Sequence, residues 1–247
     1  MIKKCLWMIL LLFCTQSFSF TVLIDPGHGG EDHGAVGKLH GKKILEKDIA
    51  LSISKKVMEY LKKDHHVFLT RSFDRTVSLG ERSDLAEKIK ADIFVSIHVN
   101  SSRNKRGQGF ETFYLDNHHD KAVKKVESTE NKNLRGDALV INQILTDLII
   151  QNTVVNSKKL ASYVHHSVKG NIQKRYKIRD RGVKPGLFYV LALSKRPSIL
   201  LEVGFMSNTR ELKKIKSHKF QYLYAKAVAK GINNYLNALG KKEINIR

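Results

Sequence analysis

The chain has 247 residues, with 44 Lys or Arg against 23 Asp or Glu and a formal net charge of +21. That length allows one α/β domain with a sizeable core, or barely two small ones. The charge implies polyanionic surroundings, such as nucleic acid, anionic lipid or an acidic wall polymer, the plainer reading being a general basicity of the organism's proteins.

Met1-Ile2-Lys3-Lys4 is a short basic stretch, and Cys5–Cys14 is an apolar run too short to span a bilayer comfortably. Thr15–Ser19 follows, with serines at both small-residue positions of a cleavage site after Ser19. Residues 1–19 are therefore predicted to be a secretory signal peptide. The rival is an uncleaved anchor; bulky Phe13 argues against a lipid on Cys14. Export places the mature protein in the periplasm or otherwise outside the cytoplasm, with no stable membrane anchor after cleavage. It also argues against nucleic acid as a partner. The two cysteines are Cys5 and Cys14, so the remaining chain holds no disulfide, and any metal must be held by His and carboxylates.

Thr21-Val22-Leu23-Ile24 is predicted to be a buried strand, stopped by Asp25-Pro26-Gly27 and followed by His28 among glycines. A loop over Glu31–Leu45 leads to a helix over Glu46–Leu61, where apolar residues 49, 50, 53, 57, 60 and 61 recur with helical spacing. His66–Thr70 is a second strand, Leu79–Lys90 a helix and Asp92–His98 a third strand. This βαβαβ order predicts a largely parallel sheet. Gly109–Leu115 alternates like a strand near an edge, and Asp116–Arg135 is without period. Helices are expected at Ala138–Gln151 and Asn156–Val168, then a basic loop over Asn171–Gly186. Strands at Gly186–Leu193 and Ser198–Val203 and a closing amphipathic helix over Lys219–Leu239 complete one domain over residues 20–247.

Ligands of open α/β sheets gather at the carboxyl ends of the strands. His28 follows the first strand, His98 ends the third, Glu202 ends the last, and Glu46 opens the first helix at the same rim. Two imidazoles and a carboxylate suit a tetrahedral zinc site with one place open for water, and a second carboxylate can act as the base. Each residue has a plainer reading. Glu46 could be a helix N-terminal acid, and His98 a satisfied core histidine. Glu202 after Ile199-Leu200-Leu201 is harder to dismiss, because burying a lone carboxylate is costly. Gly27, Gly29 and Gly30 do not form a GxGxxG pattern. His33 and His40 are near enough in sequence to replace a ligand.

Five segments together resemble the zinc-dependent N-acetylmuramoyl-L-alanine amidases of the amidase type 3 family, which cut peptidoglycan. They are Ile24–Gly30, Leu45–Asp48, Leu69–Arg71, Val95–Ser101 and Pro197–Asn208. The resemblance implies a mixed, mostly parallel twisted sheet of about six strands flanked by helices. It also implies zinc on His28, Glu46 and His98, with Glu202 as the catalytic glutamate. Glu127–Asn131 and Leu134–Leu148 are similar to an insert of the cell-division members, which covers the zinc site until a protein activator displaces it. Residues 116–152 are thus a candidate regulatory insert, and Glu130 a candidate inhibitory zinc ligand; an ordinary surface loop and packing helix is the alternative. The amino-terminal targeting domain common among division amidases is not expected here. Asn100, Arg71 and Arg181, with Arg75 and Arg82, are candidates for substrate contact through the carboxylates of the stem peptide, although salt bridges with Asp74 and Asp84 explain Arg71, Arg75 and Arg82 equally well. The expected reaction is hydrolysis of the amide between N-acetylmuramic acid and L-alanine, in wall remodelling or daughter-cell separation. The rivals are a zinc carboxypeptidase or endopeptidase acting on the stem peptide, a non-catalytic wall-binding protein, and a polyanion-binding protein.

Overall fold

The computed structural model describes residues 19–116 and 137–244, with the backbone alone at 137–146 and 241–244. Residues 1–18, Glu130 and residues 117–136 of the candidate insert lie outside the described residues.

A 6-stranded sheet in the order β4-β1-β5-β8-β6-β7 carries the fold. Strands β1 (Thr21–Pro26), β4 (His66–Leu69), β5 (Ile93–Asn100) and β8 (Ser198–Phe205) are parallel. Strand β6 (Phe110–Leu115) runs antiparallel to β8, and β7 (Asp180–Gly186) runs parallel to β6 at the edge. The mixed, mostly parallel sheet expected from the sequence is what forms.

Alternation along each strand divides the core in two. Val22, Ile24, Val95, Ile97, Ile199 and Leu201 face one side. That side is covered by α1 (Glu46–Leu61), α3 (Asp137–Val168) and α7 (His218–Ile244). Leu23, Phe94, Phe113 and Leu200 face the other side. There they meet Ala86 of α2 (Leu79–Lys88) and Leu191 of α5 (Tyr189–Leu193). Ser78 and Glu81 cap α2 reciprocally, which fixes where that helix starts.

Four local expectations are corrected. Glu31–Leu45 is not all loop: β2 (Val36–Leu39) and β3 (Lys42–Leu45) form a hairpin. His40 and Gly41 at its tip both have positive φ, as a two-residue hairpin turn requires. The two helices expected after residue 137 are one, α3. Asn152 and Thr153, which read as a break, instead donate to the carbonyls of Leu148 and Ile149 within the helix.

Asn171–Gly186 contains part of a π-helical turn (Lys169–Gln173), the short α4 (Lys174–Tyr176) and β7, whose Lys184 and Pro185 suit an edge strand. Gly186–Leu193 is mainly α5 rather than a strand, since a short apolar run carries no period that separates the two. Helix α6 (Thr209–Ile215) follows β8, capped by Asn208.

The turn after β1 rests on one buried carboxylate. Asp25, 1 % exposed, accepts hydrogen bonds from Thr70 Oγ1 (2.6 Å) and Ser96 Oγ (2.7 Å) and pairs with Arg82. Burial opposes its ionisation, but Arg82, Thr70 and Ser96 outweigh this and hold its carboxyl below the usual range. Its stabilisation is therefore present above the unfolded pKa of about 3.9 and is lost as pH falls through the lower folded value. Asp25→Ala strands the Arg82 charge. It should cost about 3–5 kcal/mol and lower the melting temperature by roughly 10 °C at neutral pH, read by thermal unfolding.

Candidate metal centre

The turn that presents His28 is built at close quarters. A Cβ on Gly27 would lie 2.4 Å from the His98 ring, so only glycine lets the chain pass there. His28 has a φ of 61°, the left-handed region that costs a side-chain-bearing residue about 1–2 kcal/mol. Two arginines hold it there. Arg71 donates to the carbonyls of Pro26 (3.1 Å) and Gly27 (2.8 Å), and Arg82 to that of His28 (3.1 Å).

Glu46 opens α1 and His98 lies near the end of β5. Backbone amides fix the Glu46 carboxylate: Val99 N donates to Oε1 (2.8 Å) and Ala35 N to Oε2 (2.7 Å). Oε1 stands 3.2 Å from His28 Nε2 and 3.1 Å from His98 Nδ1. The ligand atoms of His28, Glu46 and His98 all lie within 4.8 Å of one another, the one such group of three or more among the described residues. A tetrahedral zinc with bonds of about 2.0–2.1 Å sets its ligand atoms about 3.3 Å apart. The donor set fits that ion in type, and the two distances to Glu46 Oε1 lie close to that value.

Outside this set, His28 Nδ1 donates to Asp32 Oδ2 at 2.8 Å, which turns Nε2 toward Glu46. Burial disfavours protonated His28, but Asp32 and Glu46 outweigh it and push its pKa up to about 10. Burial likewise opposes ionised Glu46, and the two histidines overcome it and hold its carboxyl below the usual range. The cluster thus draws positive charge inward, as a cation site must.

Glu202, 8 % exposed, lies on β8 directly opposite His98 of β5 and Glu111 of β6. Directly opposed residues share a sheet face, so His98, Glu202 and Glu111 form a row across three strands. Glu111 accepts from Asn100 Nδ2 (2.8 Å), Arg181 Nε (3.0 Å) and Lys184 Nζ (2.5 Å). Asn100 and Arg181 therefore meet at one carboxylate beside the centre.

Arg71 is placed elsewhere. It is 1 % exposed and donates to the carbonyls of Pro26, Gly27 and Lys47. This burial removes it from substrate contact and corrects that expectation. Arg82 is buried with Asp25, and Arg75 donates to the Thr70 carbonyl. Asp74 pairs with Lys47 rather than with an arginine. His33 and His40 are outside the cluster.

Sequence reasoning missed Asp32, Glu111 and Lys184. Asp32 was findable, four residues from His28 across a glycine turn; Glu111 was hidden in an apolar, alternating strand. Asp32→Ala should leave the fold intact, since its side chain is 62 % exposed. It should weaken metal affinity about 10–100-fold, measured by chelator competition.

Residues 22–234 match the family described as N-acetylmuramoyl-L-alanine amidase. The chain is 32 % identical over 228 residues to AmiA of Escherichia coli strain K12, a named N-acetylmuramoyl-L-alanine amidase, covering 87 % of this chain and 76 % of that protein. Among solved structures, AmiC2 of Nostoc punctiforme superposes with a TM-score of 0.67 at 34 % identity, covering 90 % of this chain and 99 % of that one. CwlD of Clostridioides difficile, solved in complex with the GerS lipoprotein, superposes with a TM-score of 0.68 at 27 % identity, covering 89 % and 100 %. By the family match over nearly the whole chain, this protein belongs to the N-acetylmuramoyl-L-alanine amidases and is a peptidoglycan hydrolase.

Proposed function

We propose that His28 through Nε2, His98 through Nδ1 and Glu46 hold a zinc ion, and that Glu202 is the acid–base residue for cleavage of the amide between N-acetylmuramic acid and L-alanine. The observation that carries this is the gathering of His28 Nε2 and His98 Nδ1 around Glu46 Oε1. The chemistry such an ion supplies is Lewis acidity, which polarises a carbonyl and acidifies water.

The chain's own residues do the rest. Asp32 keeps the proton of His28 on Nδ1 and Nε2 free to bind. Glu202 takes the proton of the attacking water and passes it to the leaving amine. The half-buried Arg181 and Lys184 offer donors to the substrate's carboxylates, with Glu111 holding both side chains and Asn100 in place. Export through residues 1–19 brings the enzyme to the wall, as the basic, then apolar, then small-residue pattern supports. The described helices include none long and apolar enough to cross a membrane.

Regulation by residues 116–152 belongs to the same reading. Support comes from the resemblance of Glu127–Asn131 to the inserts of division amidases. The complex that CwlD forms with the GerS lipoprotein supports a protein partner for this chain as well. If Glu130 closes the resting site, Glu130→Ala raises basal release of peptides from purified wall; unchanged release in a folded variant removes that role.

Glu202→Ala should retain stoichiometric zinc and lose about 10²–10⁴-fold in turnover, whereas His98→Ala should lose both. Metal analysis beside a wall-digestion assay reads the two quantities separately. Mass spectrometry of the digest tests the bond cut: free stem peptides and peptide-free glycan identify the amidase, and shortened stems on intact glycan identify a carboxypeptidase or endopeptidase.

A further inference from the structure

A second cleft opens at the same end of the sheet as the metal centre, with a volume of about 590 Å³. One wall is the loop that follows β5, contributing Lys105 and Arg106; the other is α6 and its entry, contributing Arg210 and Lys214, with Lys177 at the side. The walls are tied together: Asn208 Nδ2 donates to the Gly107 carbonyl (3.0 Å), and Ser102 N donates to Ser207 Oγ (3.1 Å). Lys105, Arg106, Lys177 and Arg210 are exposed, and Lys214 is half-buried with Nζ on the Tyr176 carbonyl.

Among the described residues, the only carboxylate lining the cleft is Glu211, and it faces inward. Its two oxygens accept from Gly109 N (2.7 Å) and Phe205 N (3.0 Å). Burial pushes its carboxyl up against the pull of those amides, which further reduces the counter-charge it offers. Five cationic side chains thus line one small space. A single carboxylate would leave most of them uncompensated, so the space suits several anions held in sequence. Bases are not part of that chemistry. The described lining has no aromatic side chain, the platform on which single-stranded nucleic acids stack.

We infer that this cleft binds a linear, base-free polyanion of the phosphodiester or polyphosphate class. Its walls leave the sheet from β5 and β8, the strands that carry His98 and Glu202. A polymer held there tethers the protein beside its metal centre without contacting it.

The probe is short-chain inorganic polyphosphate, titrated at low salt against the full chain and two variants of equal net charge. One variant carries Lys105→Gln, Arg106→Gln, Lys177→Gln and Arg210→Gln. The other carries Lys55→Gln, Lys63→Gln, Lys88→Gln and Lys90→Gln, all exposed and away from the cleft. The cleft variant should lose on the order of 10²-fold in affinity and show a shallower salt dependence, while the control variant stays close to the parent. Equal losses in the two variants overturn the proposal, because binding would then follow net charge alone. Tighter binding of poly-L-glutamate than of polyphosphate overturns the phosphate assignment, and tighter binding of a single-stranded oligonucleotide overturns its base-free character.

Discussion

The contact between Asp25 and Arg82 underlies the turn that presents His28 to the candidate metal centre. Through Thr70 and Ser96 the same carboxylate reaches the strands on either side of β1, and through Arg82 it reaches α2. Arg82 in turn donates to the carbonyls of Pro26 and His28, beside Arg71 on Pro26 and Gly27. Two buried guanidiniums therefore satisfy the carbonyls of a turn that has left the sheet ladder. Such carbonyls would otherwise be costly to bury. The left-handed backbone at His28 is tolerated because it is held from below by these donors and from the side by Asp32.

The charge distribution follows the same logic. The chain carries a net +21, yet the rim of the candidate metal centre gathers Glu46, Asp32, Glu202 and Glu111. Glu46 and Asp32 face imidazoles, and Glu111 faces Arg181 and Lys184. A molecule of net positive charge needs a locally negative pocket if it is to hold a divalent cation. The buried carboxylates of Glu46, Glu202 and Glu111, screened little by salt, supply it at short range, while the surface lysines act over about a Debye length.

How much of this was legible in the sequence depends on the range over which each feature is determined. β1, α1, β5 and β8 have the run lengths and periods that local physics fixes, and with them came the order of the rim residues His28, Glu46, His98 and Glu202. The hairpin tip at His40-Gly41 was missed because it lacks the Asn-Gly or Asp-Gly pair that marks a two-residue hairpin turn. Gly186–Leu193 failed because a short apolar run is ambiguous between strand and helix. Arg71 was misjudged for a different reason. Its partners are three backbone carbonyls brought together only by the fold, and a sequence does not display carbonyl positions. Glu111 belongs with it: its significance lies in register, opposite Glu202 across an antiparallel pair, which no linear pattern exposes.

Register also gives the buried carboxylates different surroundings. Glu46 is committed, with both oxygens held by backbone amides and Oε1 shared between two imidazoles, so it cannot swing to carry a proton. Glu111 is committed as well, since Arg181 and Lys184 hold one of its oxygens and Asn100 occupies the other. A carboxylate so neutralised is a poor base, because every proton it accepts must displace a charge-assisted hydrogen bond. Glu202 lies between the two, one strand from His98 and one strand from Glu111. The proton transfers of amide hydrolysis need a carboxylate near the imidazoles, and the base role proposed for Glu202 rests on this place in the row.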